Sequence, residues 1–355
     1  MNKTIVLEEY SKTRAKKIGV LKKYGIVILF VFPFLASFIT FFILPLFYGI
    51  YISLTDFKYG NPGVETFNSF EWFKMLFDKT HTPGIYTSFW LAFNHTLLFA
   101  IIMVPIAIIL PLTLAILVNA KPPLFKMFRS MIYLPSIVPL TAAGTIFTLL
   151  FMSPDQHGLL YEMFGIDTLW FIDTWFTIKL FGKEMEIVYA WIPIFLMCLW
   201  GGWGGNFIIL SAGLQNVPRH LYEAASIDGC SKWKRIFNVT IPGIKPQLVL
   251  CLFTTIIGYL GLYGQNYVLS KAGPTIDTIS KMPAGGHTST LMYFIQEIVA
   301  NNETFKTRLY GLGAAASLVF ALFVGIISGI QMYLTRDKKS GTKISEAYEK
   351  WHKIR

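Results

Sequence analysis

Long apolar runs alternate with short polar segments along this chain of 355 residues. A helix needs roughly 20 apolar residues to cross a bilayer core about 30 Å thick. Runs of at least 18 residues without Asp, Glu, Lys or Arg occupy six windows, at 24–55, 80–120, 130–154, 187–218, 246–270 and 309–335. We therefore predict six membrane-spanning helices, one in each window.

Turn residues and charges set the expected bounds of these spans. The predicted spans are about 26–52, 92–119, 131–152, 188–212, 247–269 and 310–334. The outer segment 153–186 contains GLLYEMFGID, which predicts a short helix. Pro and Gly interrupt several spans, and a bilayer tolerates them where neighbouring helices or a water-filled cavity satisfy the freed backbone. They favour a moving helix bundle, although both residues are also common in ordinary membrane helices.

The basic residues indicate which segments face the cytoplasm. Lys and Arg number 22 in residues 1–23, 120–130, 214–246 and 335–355, but only 9 in the remaining loops. Under the positive-inside rule the first set is cytoplasmic, and so are both termini. The net charge of +11 is then explained by anionic lipid in the cytoplasmic leaflet, without a nucleic-acid partner.

Composition agrees with a membrane protein. Apolar residues make up 54% of the chain and charged residues 14%, with a mean hydropathy of +0.53, whereas about a quarter of the residues in a soluble domain are charged. The first apolar run is too long for a signal-peptide core, so we expect it to remain as an anchor. Cys198, Cys230 and Cys251 have no disulfide or metal-site spacing and are interpreted as small apolar fillers.

A polar island lies between the fourth and fifth apolar runs, and its sequence from Glu223 to Pro246 is EAASIDGCSKWKRIFNVTIPGIKP. Asn216-Val217-Pro218 predicts the start of a helix, with Asn as the cap and Pro in the first turn. Gly229 suits the left-handed position that ends a helix.

A second short helix is predicted after this turn. Ser231 can cap it, and Pro242 is expected to end it. Trp233 and the neighbouring basic residues also suit an alternative, an amphipathic loop resting on lipid headgroups. Glu223 and the two alanines after it do not fit that alternative, and they favour a compact surface that contacts a protein partner.

The spacing in this island resembles a known family. Glu223-Ala224-Ala225, Gly229 after three more residues, and Val239-Thr240-Ile241-Pro242 after nine more match the EAA motif of membrane subunits of binding-protein-dependent ABC importers. The preceding sequence, SAGLQNVPRHLYEAASIDG, is similar to the subgroup that imports carbohydrates, as is Tyr310-Gly311 at the start of the last span. The resemblance extends from about residue 26 to 335.

The resemblance implies an all-α integral membrane protein of the type I ABC importer permease architecture, in the cell membrane of a prokaryote. It implies a first helix and outer segment at 24–91 and a permease core at 92–335 with a coupling loop at 214–246, and the basic residues add cytoplasmic tails at 1–23 and 336–355.

It also implies how the coupling loop acts. In this family the helix beginning near Glu223 docks in a cleft of a cytoplasmic ATPase. By the resemblance, Glu223 lies in the contact, Ala224 and Ala225 permit close approach, Asp228 and Gly229 make the turn, and Pro242 fixes the exit towards span five.

The expected partners are two ABC ATPases, an extracellular solute-binding protein and a second permease subunit. Heterodimers are common in the subgroup, and the sequence leaves open whether that subunit is identical or distinct. The chain lacks a GxxxxGK[ST] phosphate loop, so ATP binding and hydrolysis are expected in a separate polypeptide. We therefore expect a transport subunit with no catalytic residues and no cofactor of its own.

Neutral side chains are the candidates for the substrate path, because the spans carry no charge. Aromatic rings and amides suit sugars, whose C–H faces stack on rings while their hydroxyls form hydrogen bonds. The candidates are Asn206, Tyr259, Tyr263, Gln265 and Asn266. The alternative for each of them is hydrogen bonding or packing between helices.

Other functions have less support in the sequence. Intramembrane carboxylates of an ion-coupled carrier are missing from the spans. Gly325-Ile326-Ile327-Ser328-Gly329 is one residue away from a GxSG motif of an intramembrane protease, but no convincing His partner accompanies it. His95 has no second metal ligand at helical spacing, so no metal site is expected. The coupling loop says nothing about cargo, and the same importer type for a non-sugar solute stays open.

Overall fold

A computed structural model describes residues 25, 27–57, 66–171, 173–180, 183–272, 286–300 and 309–335. The two basic tails predicted at 1–23 and 336–355 lie outside the described residues.

The described part of the chain is mainly helical, and its regular elements follow in chain order. The α-helices are α1 (Val27–Leu54), α2 (Glu71–Phe77), α3 (Pro83–Asn119), α4 (Phe125–Tyr133), α5 (Leu140–Phe151), α6 (Leu159–Phe164), α7 (Trp191–Asn216), α8 (Arg219–Ile227), α9 (Lys232–Arg235), α10 (Ile241–Gly243), α11 (Lys245–Leu260), α12 (Gly264–Ala272), α13 (Leu291–Ala300) and α14 (Tyr310–Thr335). The strands are β1 (Thr174–Leu180) and β2 (Lys183–Val188).

Among the described residues, five helices are long and apolar enough to cross a membrane, and there are six crossings when a bent helix pair is counted as one span. The five are α1, α3, α7, α14 and the helix from Lys245 to Leu269, which comprises α11 and the first part of α12. The bent pair consists of Phe125–Ile137 and Leu140–Phe151. Counted in this way, the prediction of six spans is confirmed.

The third span, predicted at about 131–152 among the spans that Pro and Gly interrupt, is sharply bent. Its two halves meet at an angle of 94°. Between them Val138 has an extended backbone, with ψ at 127°, and Pro139 caps α5. The residue before a proline is disfavoured in the helical region, so Pro139 breaks the helix at Val138.

The second span is longer than predicted, because α3 begins at Pro83 rather than near residue 92 and continues for 37 residues. At 1.5 Å per residue its length is about 55 Å, more than a bilayer core requires. Its first turns pack against α2 and α13, where Phe89 is buried beside Leu76 and Phe294. Both Pro105 and Pro111 lie inside the helix without ending it.

The remaining spans assemble around α3. This helix packs along α7 and α11, and the bent pair contacts α7 and α12. The last helix, α14, packs on α1 and α13. Large side chains of α1 are mostly exposed, with Phe30 and Phe41 each 79% exposed, as expected of a helix surrounded by lipid or by another subunit.

The outer segment 153–186 holds both an expected and an unexpected element. The short helix predicted in GLLYEMFGID is confirmed as α6. The all-α prediction missed an antiparallel hairpin of β1 and β2, in which Thr177 faces Glu186. Trp175, Phe176, Thr177 and Ile178 form a β-branched and aromatic run that favours a strand.

Candidate functional site

Two polar regions stand out from the apolar bundle: the coupling loop at 214–246 and a break in the fifth span. In the coupling loop, α8 is tied back onto the helical segment that follows it. The Tyr222 hydroxyl lies 3.1 Å from Thr240 Oγ1, and Arg235 donates a hydrogen bond of 2.8 Å to Ser226 Oγ. These two bonds hold α8, the first arm of the loop, against the helical segment 232–243, which is the second arm.

The turn between the arms has the geometry predicted for it. Gly229 has a φ of +70°, and its N–H donates to the Ser226 carbonyl at 3.2 Å. The Cys230 N–H donates to the Ala225 carbonyl at 2.9 Å, which completes a Schellman motif after the C-cap Asp228. An L-residue in this left-handed region costs roughly 1–2 kcal/mol, so Gly229 fits the turn for a conformational reason.

One face of α8 is open to contact. Glu223 and Ala224 are exposed, whereas Ala225 is half-buried on the inner side of the loop. Ile227 lies one turn after Glu223 and is 87% exposed. A single exposed apolar side chain is common on protein surfaces, but beside Glu223 and Ala224 it adds apolar area to this face. Ile227 is not among the site residues predicted from the sequence, although its i, i+4 spacing from Glu223 places both on one face.

The start of α8 differs from the prediction. Asn216 is the last residue of α7, and Pro218 is the N-cap of α8 with an extended ψ of 133°. Asn216 therefore does not cap α8, because α7 continues one residue further than the cap would allow. The predicted cap of the second arm is confirmed: Ser231 Oγ accepts a hydrogen bond of 3.4 Å from the Lys234 N–H.

Pro242 does not end the second arm. Helical structure continues from α9 through a π-helical turn at Ile236–Thr240 into α10, which contains Pro242 in its first turn. A proline in the first turn of a helix costs little, because its missing N–H has no partner there. The direction changes instead at Ile244, with φ −108° and ψ 15°, before α11. Pro242 is exposed near this exit towards span five.

The second arm also carries apolar surface. Trp233 is 75% and Phe237 63% exposed, beside the exposed basic residues Lys232 and Lys234. Aromatic rings next to Lys are typical of the membrane interface. The alternative of a loop resting on headgroups therefore suits this arm, while the α8 face suits a protein partner.

The fifth span is broken where four of the predicted path residues lie. The helix α11 ends at Leu260 and α12 begins at Gly264. Tyr259 precedes the break, Tyr263 lies within it, and Gln265 and Asn266 follow it. Discontinuous membrane helices with free backbone groups are the typical setting of transporter binding sites.

Three tyrosine rings cluster at this break. The ring centroid of Tyr263 is 5.3 Å from that of Tyr267 and 6.3 Å from that of Tyr293. Tyr293 belongs to α13, between the fifth and sixth spans, and is buried. It is not among the residues predicted from the sequence, because nothing in the sequence brings α13 to the fifth span. Tyr263 and Gln265 remain partly exposed and are available to a ligand.

The two asparagines make packing contacts instead. Asn206 Nδ2 donates to the Ala107 carbonyl and to Thr255 Oγ1, each at 2.9 Å, and so joins α7 to α3 and α11. Asn266 is fully buried and donates to the Thr288 carbonyl. These bonds correspond to the alternative of hydrogen bonding between helices. For Asn206 and Asn266, these bonds favour a role in packing between helices over contact with a substrate.

Tyr259 packs against residues of two neighbouring helices, Phe99 of α3 and Gly202 of α7. Its ring centroid is 5.6 Å from that of Phe99, and its hydroxyl is directed to Gly202, where an added Cβ would come within 3.2 Å of the oxygen. The side chain therefore fills the space between α3 and α7 just below the break.

No group of three or more His, Cys, Asp or Glu side chains that could hold a metal ion occurs among the described residues. His95 is buried in α3, and its Nδ1 lies 3.0 Å from the Ser289 carbonyl. It anchors the segment that leads into α13.

Comparison with known proteins gives a consistent picture. Residues 107–340 match the family model described as "binding-protein-dependent transport system inner membrane component". The arabinooligosaccharides transport system permease protein AraP of Bacillus subtilis (strain 168) is 29% identical over 310 residues, 86% of this chain and 87% of that protein. The lactose transport system permease protein LacF of Rhizobium radiobacter is 30% identical over 259 residues, 71% of this chain and 77% of that protein.

A solved structure has a similar fold. It is a bacterial alginate ABC transporter in complex with an alginate pentasaccharide-bound periplasmic protein. One of its chains superposes with a TM-score of 0.64 at 18% sequence identity, over 90% of this chain and 96% of that chain.

Proposed function

Because this chain belongs to the family of binding-protein-dependent transport system inner membrane components, we propose that it forms one side of the pore of an ATP-driven carbohydrate importer. It is a multi-pass membrane protein and a transport subunit, not an enzyme. The carbohydrate assignment is supported by relatives named for arabinooligosaccharides and lactose. The single observation that carries the proposal is the exposed α8 face at one end of a bundle whose fifth span is broken.

The proposed orientation places the coupling loop in the cytoplasm. The excess of Lys and Arg in 120–130 and 214–246 supports this orientation through the positive-inside rule. The hairpin of β1 and β2 and the helix α13 then face outwards, as does the cluster of Tyr263, Tyr267 and Tyr293.

A separate ATPase would dock on the α8 face. Glu223 supplies a charge, Ala224 allows close approach and Ile227 supplies an apolar anchor that a cleft can cover. The bonds from Tyr222 and Arg235 transmit movement of α8 to the second arm, which continues into α11 and the broken fifth span. Closure of the ATPase pair would thereby alter the substrate path.

The substrate path would run past the break in span five. Tyr263 is partly exposed and offers an aromatic ring on which a sugar can stack. Gln265 is partly exposed too and offers an amide that can form hydrogen bonds with the sugar hydroxyls. Asn206 and Asn266 hold the helices around the path. An extracellular binding protein would deliver the sugar, and a second permease subunit would complete the pore.

Uptake measurements test the proposal. In cells that lack only this chain, we expect loss of ATP-dependent uptake of one labelled oligosaccharide or disaccharide, with recovery when the chain is supplied again. Uptake of labelled amino acids serves as the control and should not change. Loss of amino-acid uptake with intact sugar uptake would replace the carbohydrate assignment by the alternative, the same importer type for a non-sugar solute.

A further inference from the structure

Two adjoining cavities lie at the end of the bundle that carries the coupling loop, apart from the exposed α8 face and from the break in span five. The first, of about 650 Å³, lies between the ends of α3 and α7 and the starts of α4 and α8. The second, of about 370 Å³, lies between α4 and α7. They share Arg129 and Gln215 as lining residues. Both volumes fall in the range of about 300–1,000 Å³ that is typical of ligand sites.

The first cavity is cationic. Lys121, Arg129 and Arg219 line it, and no Asp or Glu does. None of these three side chains has an ion-pair partner within the part of the chain that the structure describes. Three like charges around one cavity repel one another and favour an anion between them. Arg suits a phosphate group in particular, because its planar guanidinium donates two parallel hydrogen bonds.

The second cavity is mainly apolar and lies further along α7 from the coupling loop. Tyr133, Phe207, Ile208 and Ala212 form its walls. Phe207 precedes the end of α7 at Asn216 by nine residues, which corresponds to about 13 Å along the helix axis. The site therefore runs from a charged opening at the end of α7 towards the apolar level of the span.

An unpartnered hydroxyl lies between these two environments. Ser211 lines the apolar cavity, is 6% exposed, and its Oγ has no hydrogen-bond partner among the described residues. A buried hydroxyl without a partner costs free energy. An ester carbonyl of a bound molecule would accept its hydrogen.

We propose that the two cavities together bind one anionic phospholipid, with its phosphate between Lys121, Arg129 and Arg219 and an acyl chain along Phe207 and Ile208. The inference rests on the proposed orientation, which places the cationic cavity at the anionic cytoplasmic leaflet. Basic pockets between membrane helices bind lipid headgroups at this level. A free phosphate would leave the apolar cavity unexplained, and so would a carboxylate of a protein partner.

The position of the lipid site between α8 and α4 gives the lipid a structural role. Arg219 is the first residue of α8, and Arg129 belongs to α4. A lipid held by both links the coupling loop to the bent third span. We expect the bound lipid to stabilise the packing of the coupling loop beside the bent third span.

Lipid binding to the purified full-length chain tests the proposal. Intact-protein mass spectrometry would count retained phosphatidylglycerol, with phosphatidylcholine of the same acyl chains and inorganic phosphate as separate additions. We expect the wild-type chain to retain one phosphatidylglycerol. The double variant R129Q/R219Q should bind it at least about tenfold more weakly, because each basic residue near the surface contributes to anionic lipid binding.

Lys126→Gln is the matched control, since Lys126 is an exposed cation of α4 that lines neither cavity. It should retain the lipid. Equal affinity of R129Q/R219Q and wild type for phosphatidylglycerol would overturn the proposal. So would an equal loss of the lipid in K126Q, or retention of inorganic phosphate as strong as that of phosphatidylglycerol.

A variant R129Q/R219Q that keeps the lipid but loses the ATPase would assign the cavity to that protein instead and overturn the lipid proposal. Lipid binding is measured on the purified chain alone, and sugar uptake is measured in cells. A chain that retains the lipid but supports no sugar uptake would therefore refute only the proposed function.

Discussion

Gly229 and Gly165 each follow a helix and have a left-handed backbone. Each follows a helix, α8 or α6, with a φ of +70° or +66°, and a Cβ added at either would have no atom within 4 Å. Replacement by Ala therefore meets no clash at either position and introduces only the strain of a left-handed backbone, roughly 1–2 kcal/mol. The two glycines differ in what they position, because only Gly229 lies in the coupling loop.

Gly229→Ala and Gly165→Ala form a matched pair. We expect both variants to lose about 1 kcal/mol of unfolding free energy, measured as a similar fall in melting temperature. Only Gly229→Ala should also retain less ATPase when the chain is purified from membranes through an affinity tag, because the α8 face is then displaced. Equal ATPase retention by the two variants would contradict the role given to this turn.

Residue chemistry that acts within a few positions was predictable from the sequence, except where a helix runs further than expected, as α7 does at Asn216. The left-handed Gly229 and the Ser231 cap depend on local hydrogen bonds, and both predictions are confirmed. The contributions of Thr255 and Tyr293 were not predictable, since each depends on which helix packs beside it. Ile227 was within reach of the sequence, because it lies one turn from Glu223.

Close packing of α7 against the bent third span decides the shape of the bundle at the scale of elements. Gly204 is buried, and a Cβ there would overlap Ser136 in the 3₁₀ turn Leu134–Ile137. Gly205, the next residue, is exposed, and a Cβ there would meet nothing within 4 Å. The Gly-rich run in this span therefore contains one glycine that packing requires and one that it does not.

Gly204→Ala and Gly205→Ala test this packing. We expect Gly204→Ala to cost about 1–3 kcal/mol, the usual range for overpacking a core, seen as a lower melting temperature in detergent. Gly205→Ala should be neutral or slightly stabilising, because Ala favours a helix over Gly. A Gly204→Ala chain as stable as wild type would show that α7 and the bent span do not pack as described.

The positions of the membrane-spanning helices could be predicted from hydropathy, whereas their bends could not. The charge-free windows cover most of each of the five long apolar helices and of the bent pair, because an apolar run of about 20 residues is long enough to cross the bilayer core. The 94° bend of the third span depends on Pro139 acting on Val138 within a particular packing arrangement, and α3 passes Pro105 and Pro111 without a break. Proline alone therefore does not predict where a membrane helix stops.

At the scale of the whole molecule, the coupling loop and the broken fifth span are consecutive along one helical path. The second arm runs through α9 and α10 to Ile244, and α11 then leads to the break at Leu260. A force applied to the α8 face therefore has a direct route to the proposed substrate path. This continuity is the reason why a charge at Glu223, far from any sugar, should control transport.

Charge reversal at Glu223 tests whether the α8 face couples transport to the ATPase. Asp167→Lys is the control, since Asp167 is also an exposed carboxylate and lies in the segment 153–186. The measurement is the initial rate of ATP-dependent uptake of the sugar that wild-type cells import, at equal amounts of chain in the membrane. We predict that Glu223→Lys lowers the rate to less than about a tenth of wild type, because a reversed charge at a docked interface costs several kcal/mol, while Asp167→Lys transports normally. Uptake at the wild-type rate by Glu223→Lys would contradict the account.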